Sequence, residues 1–149
     1  TIGRILAQKL NNSYFLDTDN LIENFENRTI SKIFEEDGEE YFREAEKRVF
    51  EWIKENVKNS VISTGGGLPI FVKNINTAGI VIYLKVKFEE IVKRLDEKEI
   101  QKRPLFRDLN KAKELFEKRD KIYTNLADYV IENRNIQESI EKILKKIEL

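Results

Sequence analysis

Two hydrophobic rhythms alternate along the chain. Ile2, Ile5, Leu6 and Leu10 fall at helical spacing with no capping residue ahead of them. After Asn11-Asn12-Ser13, the run Tyr14-Phe15-Leu16 predicts a buried strand that ends at Asp17. Leu21, Ile22 and Phe25 mark a helix, and positions 29–36 a further short one, interrupted by Gly38. A longer helix then places Phe42, Ala45, Val49, Trp52 and Ile53 on one face. Val61-Ile62-Ser63 predicts a second strand, broken by Gly65-Gly66-Gly67 and Pro69, with a helix expected over 71–76.

The second half repeats the alternation. Ile80 to Leu84 has the continuous apolar character of a strand covered on both faces. Helices are predicted over 88–95, 112–126 and 136–147, with a fourth strand over 128–131. Between them, 96–110 is charged, contains Pro104 and lacks periodicity. No repeat or linker divides the chain, so a single domain over 1–149 is expected. Strands alternating with helices predict an α/β protein with a three-layer α/β/α parallel sheet. Ligands of such sheets bind beyond the carboxyl ends of the strands. Asp17, Asp19, the glycines and the loop after Leu84 should therefore share one rim.

Composition narrows the chemistry. Lys+Arg and Asp+Glu both number 27, which gives no bulk charge for gripping nucleic acid or a membrane surface. No apolar run approaches a membrane span and no secretory leader pattern opens the chain, so a cytoplasmic protein is expected. There is no Cys and no His, which removes thiol nucleophiles, imidazole bases, zinc sites and disulfides together. An enzyme built this way must work with Asp, Glu, Lys, Arg, Tyr and backbone amides. Phosphoryl transfer runs on such parts, because positioning and cationic stabilisation carry most of it. There is also no Met, and the chain opens directly in a helical pattern, so a fragment or processed piece is expected.

Four constellations could carry chemistry. Asp17 and Asp19, two residues apart past a strand, could divide magnesium binding and proton acceptance between them; alternatively, Asp19 caps the following helix. Gly65, Gly66 and Gly67 could let a ligand approach the backbone closely, or could simply make a tight turn that needs positive φ. Arg119 falls inside the apolar stripe of Ala112, Leu115, Phe116, Ile122, Tyr123 and Leu126, where a charge needs a partner or a pocket. Arg43 lies beside a similar stripe with Glu46 one turn on; both arginines could fork onto a carboxylate, or Arg43 could close an internal salt bridge to Glu46. The charged stretch 98–108 is either a solvated loop or a lid presenting Arg103 to a phosphate.

The order Thr-Ile-Gly-Arg, Leu-Asp-Thr-Asp, Phe-Arg-Glu-Ala-Glu, Ser-Thr-Gly-Gly-Gly, Lys-Arg-Pro-Leu-Phe and Arg-Asp-Lys-Ile-Tyr resembles the shikimate kinase family over essentially the whole chain. That resemblance implies the P-loop NTPase fold of the nucleoside monophosphate kinase type. It also implies ATP-dependent phosphorylation of the shikimate 3-hydroxyl by a monomer, with ATP and Mg2+ as cofactors. It assigns Asp19 to the shikimate hydroxyls as base or orienting acceptor, and Asp17 to magnesium. Arg43 and Arg119 would hold the shikimate carboxylate, with Gly65, Gly66 and Gly67 lining the ring site. Arg103 would reach the ATP phosphates from a lid over 96–110, and Arg94 and Arg134 would flank the adenine. Thr1 matches the last residue of the family's Gly-Lys-Ser-Thr loop. The phosphate-binding loop and the central first strand are therefore expected to lie outside this chain, leaving it inactive alone. A gluconate kinase and a non-catalytic binding homologue are the competing expectations. A nucleotide acceptor fits poorly, because Thr-Gly-Gly-Gly-Leu-Pro stands where nucleotide kinases carry Gly-aromatic-Pro-Arg.

Overall fold

The computed structural model describes residues 1–94 and 109–147, and the side chain of Arg94 lies outside that description. The chain divides into two compact units, Thr1–Ile80 and Val81–Leu149. Each is an α/β unit around one pair of parallel strands.

In the first unit, helix α1 (Ile2–Lys9) buries Ile2, Leu6 and Ala7 and packs against strands β1 (Tyr14–Asp17) and β2 (Ser60–Ser63). Gly3 permits that approach, since a Cβ there would run into the Phe15 ring. The strands pair in parallel from Tyr14↔Ser60 to Asp17↔Ser63, so Asp17 and Ser63 end at the same edge. Helices α2 (Thr18–Glu26) and α3 (Ile30–Asn56) make the crossover. Ile22, Ile33, Phe42 and Ala45 form the core between them. Gly38 breaks α3 with φ 85°, a conformation that an L side chain rarely adopts. Ahead of this break, Arg28 pairs with Glu26 (2.8 Å), Glu36 (2.8 Å) and Asp37 (2.6 Å), tying the first part of α3 back to α2.

In the second unit, strands β3 (Ile82–Lys85) and β4 (Tyr129–Glu132) pair in parallel from Ile82↔Tyr129 to Lys85↔Glu132. Helix α5 (Phe88–Arg94) follows β3, α6 (Leu109–Leu126) packs on β3, and α7 (Ile136–Ile147) packs on β4. Ala112, Ile131, Ile140 and Ile143 are its buried apolar residues. Among the described residues, no helix is long and apolar enough to cross a membrane.

Several boundaries differ from the sequence expectation. α2 begins at Thr18 rather than near Leu21, because Asp17 caps it. On α3, Trp52 is 51% exposed, and Glu46 and Phe50 take buried places beside Phe42, Ala45 and Ile53. Positions 71–76 hold no continuous helix. A single turn α4 (Leu68–Phe71) and a 3₁₀ turn (Ile75–Thr77) are separated by extended Val72 and by Asn74 at φ 61°. Ile80 is 59% exposed and β3 starts at Ile82, after Gly79 at φ 159°. Of the expected lid over 96–110, residues 96–108 lie outside the described residues, and 109–110 already belong to α6.

Candidate functional site

The parallel register brings the ends of β1 and β2 together, and the two motifs that follow them meet there. Asp17 stays extended and accepts a hydrogen bond from the Asp19 backbone N–H at 3.0 Å. The capping role expected as an alternative for Asp19 thus belongs to Asp17. One carboxylate oxygen of Asp17 closes the helix N-terminus, which leaves the Asp19 side chain available for chemistry.

Asp19 is half-buried, and its carboxyl is pushed above the usual carboxylate range. Burial is the main cause, the negative charges of Asp17 and Glu23 add to it, and the positive charge of Arg43 opposes it. Its nearest neighbour across the rim is Gly65: a Cβ at that position would stand 3.3 Å from Asp19 Oδ1. Gly67 is tighter still, since its Cβ would fall 3.0 Å from Arg43 Cζ and closer to Nη1. Neither glycine adopts positive φ. The expectation of a strained turn is therefore corrected. Gly65 and Gly67 are glycines because Asp19 and Arg43 occupy the space that a side chain would need. Gly66, between them, is exposed on the same loop.

Arg43 projects from α3 into this corner and is held on several sides. Nη1 donates to Glu46 Oε1 at 2.6 Å, and Nη2 to Glu39 Oε1 at 3.3 Å. Its guanidinium lies over the Phe71 ring at 4.1 Å and near the Phe42 ring at 5.3 Å. Glu46 is only 1% exposed, and burial raises its carboxyl although the Arg43 hydrogen bond works the other way. The salt bridge foreseen as one reading of Arg43 therefore exists. Together with the Glu39 contact it uses one N–H of each terminal nitrogen, so each keeps a second donor. The Nε of Arg43 is buried with no hydrogen-bond partner.

In the second unit a cavity of about 310 Å³ is lined by Tyr83, Leu84, Phe88, Phe116, Arg119 and Tyr123, among others. Arg119, the charge expected inside an apolar stripe, is half-buried in this wall and donates a hydrogen bond to the Tyr123 phenol. Arg134 follows the end of β4, is exposed and pairs with Glu132 at 2.9 Å. Arg94 ends α5, and Arg103 lies outside the described residues. Thr1 precedes α1 and makes no side-chain cap. Among the described residues, no group of three or more acidic side chains could hold a metal ion by itself. Asp17 is nevertheless compatible with Mg2+, which binds through one or two carboxylates and keeps its waters.

Sequence reasoning missed Phe71, Glu39 and the polar contacts of Tyr83. Glu39 was within reach, being four residues before Arg43 on a helix. Phe71 was not, because only the fold of α4 against α3 brings its ring over Arg43.

With this geometry in place, the chain can be set against known proteins. The sequence model described as shikimate kinase matches residues 1–148. The chain belongs to the shikimate kinase family. It is 43% identical to the shikimate kinase of Helicobacter hepaticus over 99% of this chain and 85% of that protein. It is likewise 43% identical to that of Clostridium botulinum strain Okra, over 97% and 86%. Among solved structures, the Aquifex aeolicus shikimate kinase superposes with a TM-score of 0.83 at 35% identity, covering 98% of this chain and 87% of that one. The Acinetobacter baumannii shikimate kinase, solved in complex with shikimate, superposes with a TM-score of 0.76 at 33% identity, over 98% and 84%.

Proposed function

We propose that this chain carries the acceptor-binding site of an enzyme that transfers the γ-phosphoryl group of ATP to the 3-hydroxyl of shikimate. The products are shikimate 3-phosphate and ADP. The observation that carries the reading is the corner where Asp19 and Arg43 face each other beside Gly65 and Gly67, in a chain matched by the shikimate kinase family from end to end.

The corner suits a small hydroxylated acid. Arg43 offers its remaining terminal N–H groups as a fork for a carboxylate, and Glu46, Glu39 and Phe71 fix the plane of that fork. Gly65, Gly66 and Gly67 let a ring lie against the backbone. Asp19 takes the hydroxyl proton. Its raised carboxyl makes it a stronger base, once ionised, than an exposed aspartate. As the proton moves to Asp19, the hydroxyl oxygen bonds to the γ-phosphorus and the bond to the β–γ bridging oxygen breaks. When bound, MgATP supplies the phosphoryl group and the cation that spreads its charge.

Asp17 would hold the magnesium through water, with its Oδ1 steadied by the Asp19 N–H. Arg119, held by Tyr123 in its cavity wall, would also serve the shikimate carboxylate, as the family likeness implies. Thr1, Arg94, Arg103 and Arg134 would serve the nucleotide, as the family likeness implies. An enzyme drawing on ATP and a small acid suits the cytoplasm.

The test is ADP release by the purified enzyme, with shikimate, gluconate and CMP as acceptors. Turnover with shikimate alone is expected. Equal or greater kcat/KM with gluconate would sink the assignment.

A further inference from the structure

The mechanism does not use the polar cluster that joins β3 to α6. Tyr83 and Lys85 alternate along β3 and so share one face of the strand. Both reach the carboxylate of Asp120 on α6: the Tyr83 hydroxyl donates to Oδ1 at 2.6 Å, and Lys85 Nζ stands 3.4 Å from Oδ2. The Asp120 side chain is 20% exposed, so this is a partly buried, charge-assisted clamp. Burial, followed by Asp120, pushes the Tyr83 phenol well above its usual range, so it stays a donor.

Asp120 is the residue after Arg119, and Tyr123 lies one helical turn beyond Arg119. The Tyr83 ring meets Tyr123 edge-on, 5.2 Å between centroids, and Tyr123 accepts the hydrogen bond from Arg119. Tyr83 therefore touches the helix at two points just beyond the arginine: through its hydroxyl at Asp120, and through its ring at Tyr123. Both oxygens of the Asp120 carboxylate are engaged by β3, which fixes the turn of the helix that carries Arg119.

We propose that Asp120, clamped by Tyr83 and Lys85, is a positioning residue for Arg119. It sets the rotation of α6 about its axis, so that Arg119 can receive an external carboxylate. The proposal rests on the reading of Arg119 as a shikimate carboxylate ligand. It adds the residues that prepare that arginine.

The experiment uses the complete protein, with steady-state KM for shikimate and for ATP measured separately and thermal midpoints recorded by circular dichroism. Tyr83→Phe keeps the ring against Tyr123 and deletes only the hydroxyl. It is expected to raise the shikimate KM roughly tenfold, leave the ATP KM unchanged and lower the midpoint by only a few degrees. Lys85→Met, on the other arm of the clamp, should shift the shikimate KM in the same direction by about threefold. In an Arg119→Ala background, which raises the shikimate KM itself, adding Tyr83→Phe should change nothing further. A lowered midpoint with both KM values unmoved in Tyr83→Phe and Lys85→Met would make the cluster purely structural and overturn the clamp. An Arg119→Ala protein with an unchanged shikimate KM would overturn the ligand reading, and the clamp with it. A normal Tyr83→Phe beside an impaired Arg119→Ala would remove the clamp alone.

Discussion

The two units handle an arginine in opposite ways. In the first, Arg43 is braced by two carboxylates and two aromatic rings, and one of its partners, Glu46, is almost wholly buried. In the second, Arg119 meets, among the described residues, the Tyr123 phenol in the wall of a largely apolar cavity, while the next residue, Asp120, is clamped to a strand. The first arrangement fixes orientation by engaging part of the guanidinium with buried and exposed partners, and it makes the fold depend on that charge. The second leaves the guanidinium less neutralised, and its orientation depends on the helix that carries it. Function and stability should therefore be coupled at Arg43 and separable at Arg119.

Asp19→Asn should give the largest functional effect. Removing the proton acceptor is expected to lower kcat about 10²–10⁴-fold, measured by coupled ADP release. Stability should move the other way. A carboxyl whose folded pKa is raised contributes stability that is full below its unfolded value near 3.8 and is lost as pH rises through the raised value. Where Asp19 is ionised that contribution is gone, so the amide variant should there melt no lower than the parent. The acid limb of the parent's kcat/KM profile should lie above the ordinary carboxylate range and vanish in the variant.

Arg43→Met comes next and tests the coupling directly. It leaves Glu46 buried without its partner, and a loss of about 3 kcal/mol in urea unfolding is expected. Since Glu46 is already raised by burial, protonation should relieve the loss, so the gap to the parent should narrow as pH falls. Parental stability of the Arg43→Met variant at pH 7 would break the contrast between the two units.

The glycines come third. Gly67→Ala forces the Arg43 guanidinium to move, whereas Gly65→Ala requires Asp19 to yield by only a few tenths of an ångström. Shikimate KM should rise roughly tenfold for Gly67→Ala, in proportion to a lost charged hydrogen bond, and clearly less for Gly65→Ala. The reverse order would move the acceptor site away from Arg43. Smallest is Arg134→Ala. Its pair with Glu132 is exposed on both sides, so unfolding should shift by less than about 0.5 kcal/mol, and any effect should fall on the ATP KM.

Much of the fold was legible because helices and strands here follow local rhythm. The closing helix Ile136–Ile147 matches its predicted bounds, and all four strands lie within two residues of theirs. Errors collected where tertiary contact overrides pattern. Trp52 carries the hydrophobicity of a core residue, yet the buried face of α3 runs through Glu46 and Phe50. Glu46 is tolerated there because Arg43 meets it at 2.6 Å, a pairing visible in the spacing but a burial that is not. Positions 71–76 look helical until Val72 turns extended and Asn74 takes a left-handed conformation.

The order of motifs and the residue types within them suffice to mark the chain as shikimate kinase-like, and the lack of Cys and His confines its chemistry to carboxylates, cations and amides. Both facts depend only on which residues occur and how far apart they stand. Three-dimensional packing alone decided that Asp17 rather than Asp19 caps α2, that Gly65 and Gly67 make room rather than turns, and that Tyr83 and Lys85 take hold of Asp120. Those outcomes join residues as far as 46 positions apart (65 − 19), as in Asp19 and Gly65. No local periodicity specifies such distances, because the energy that sets them comes from burying surfaces remote in the chain.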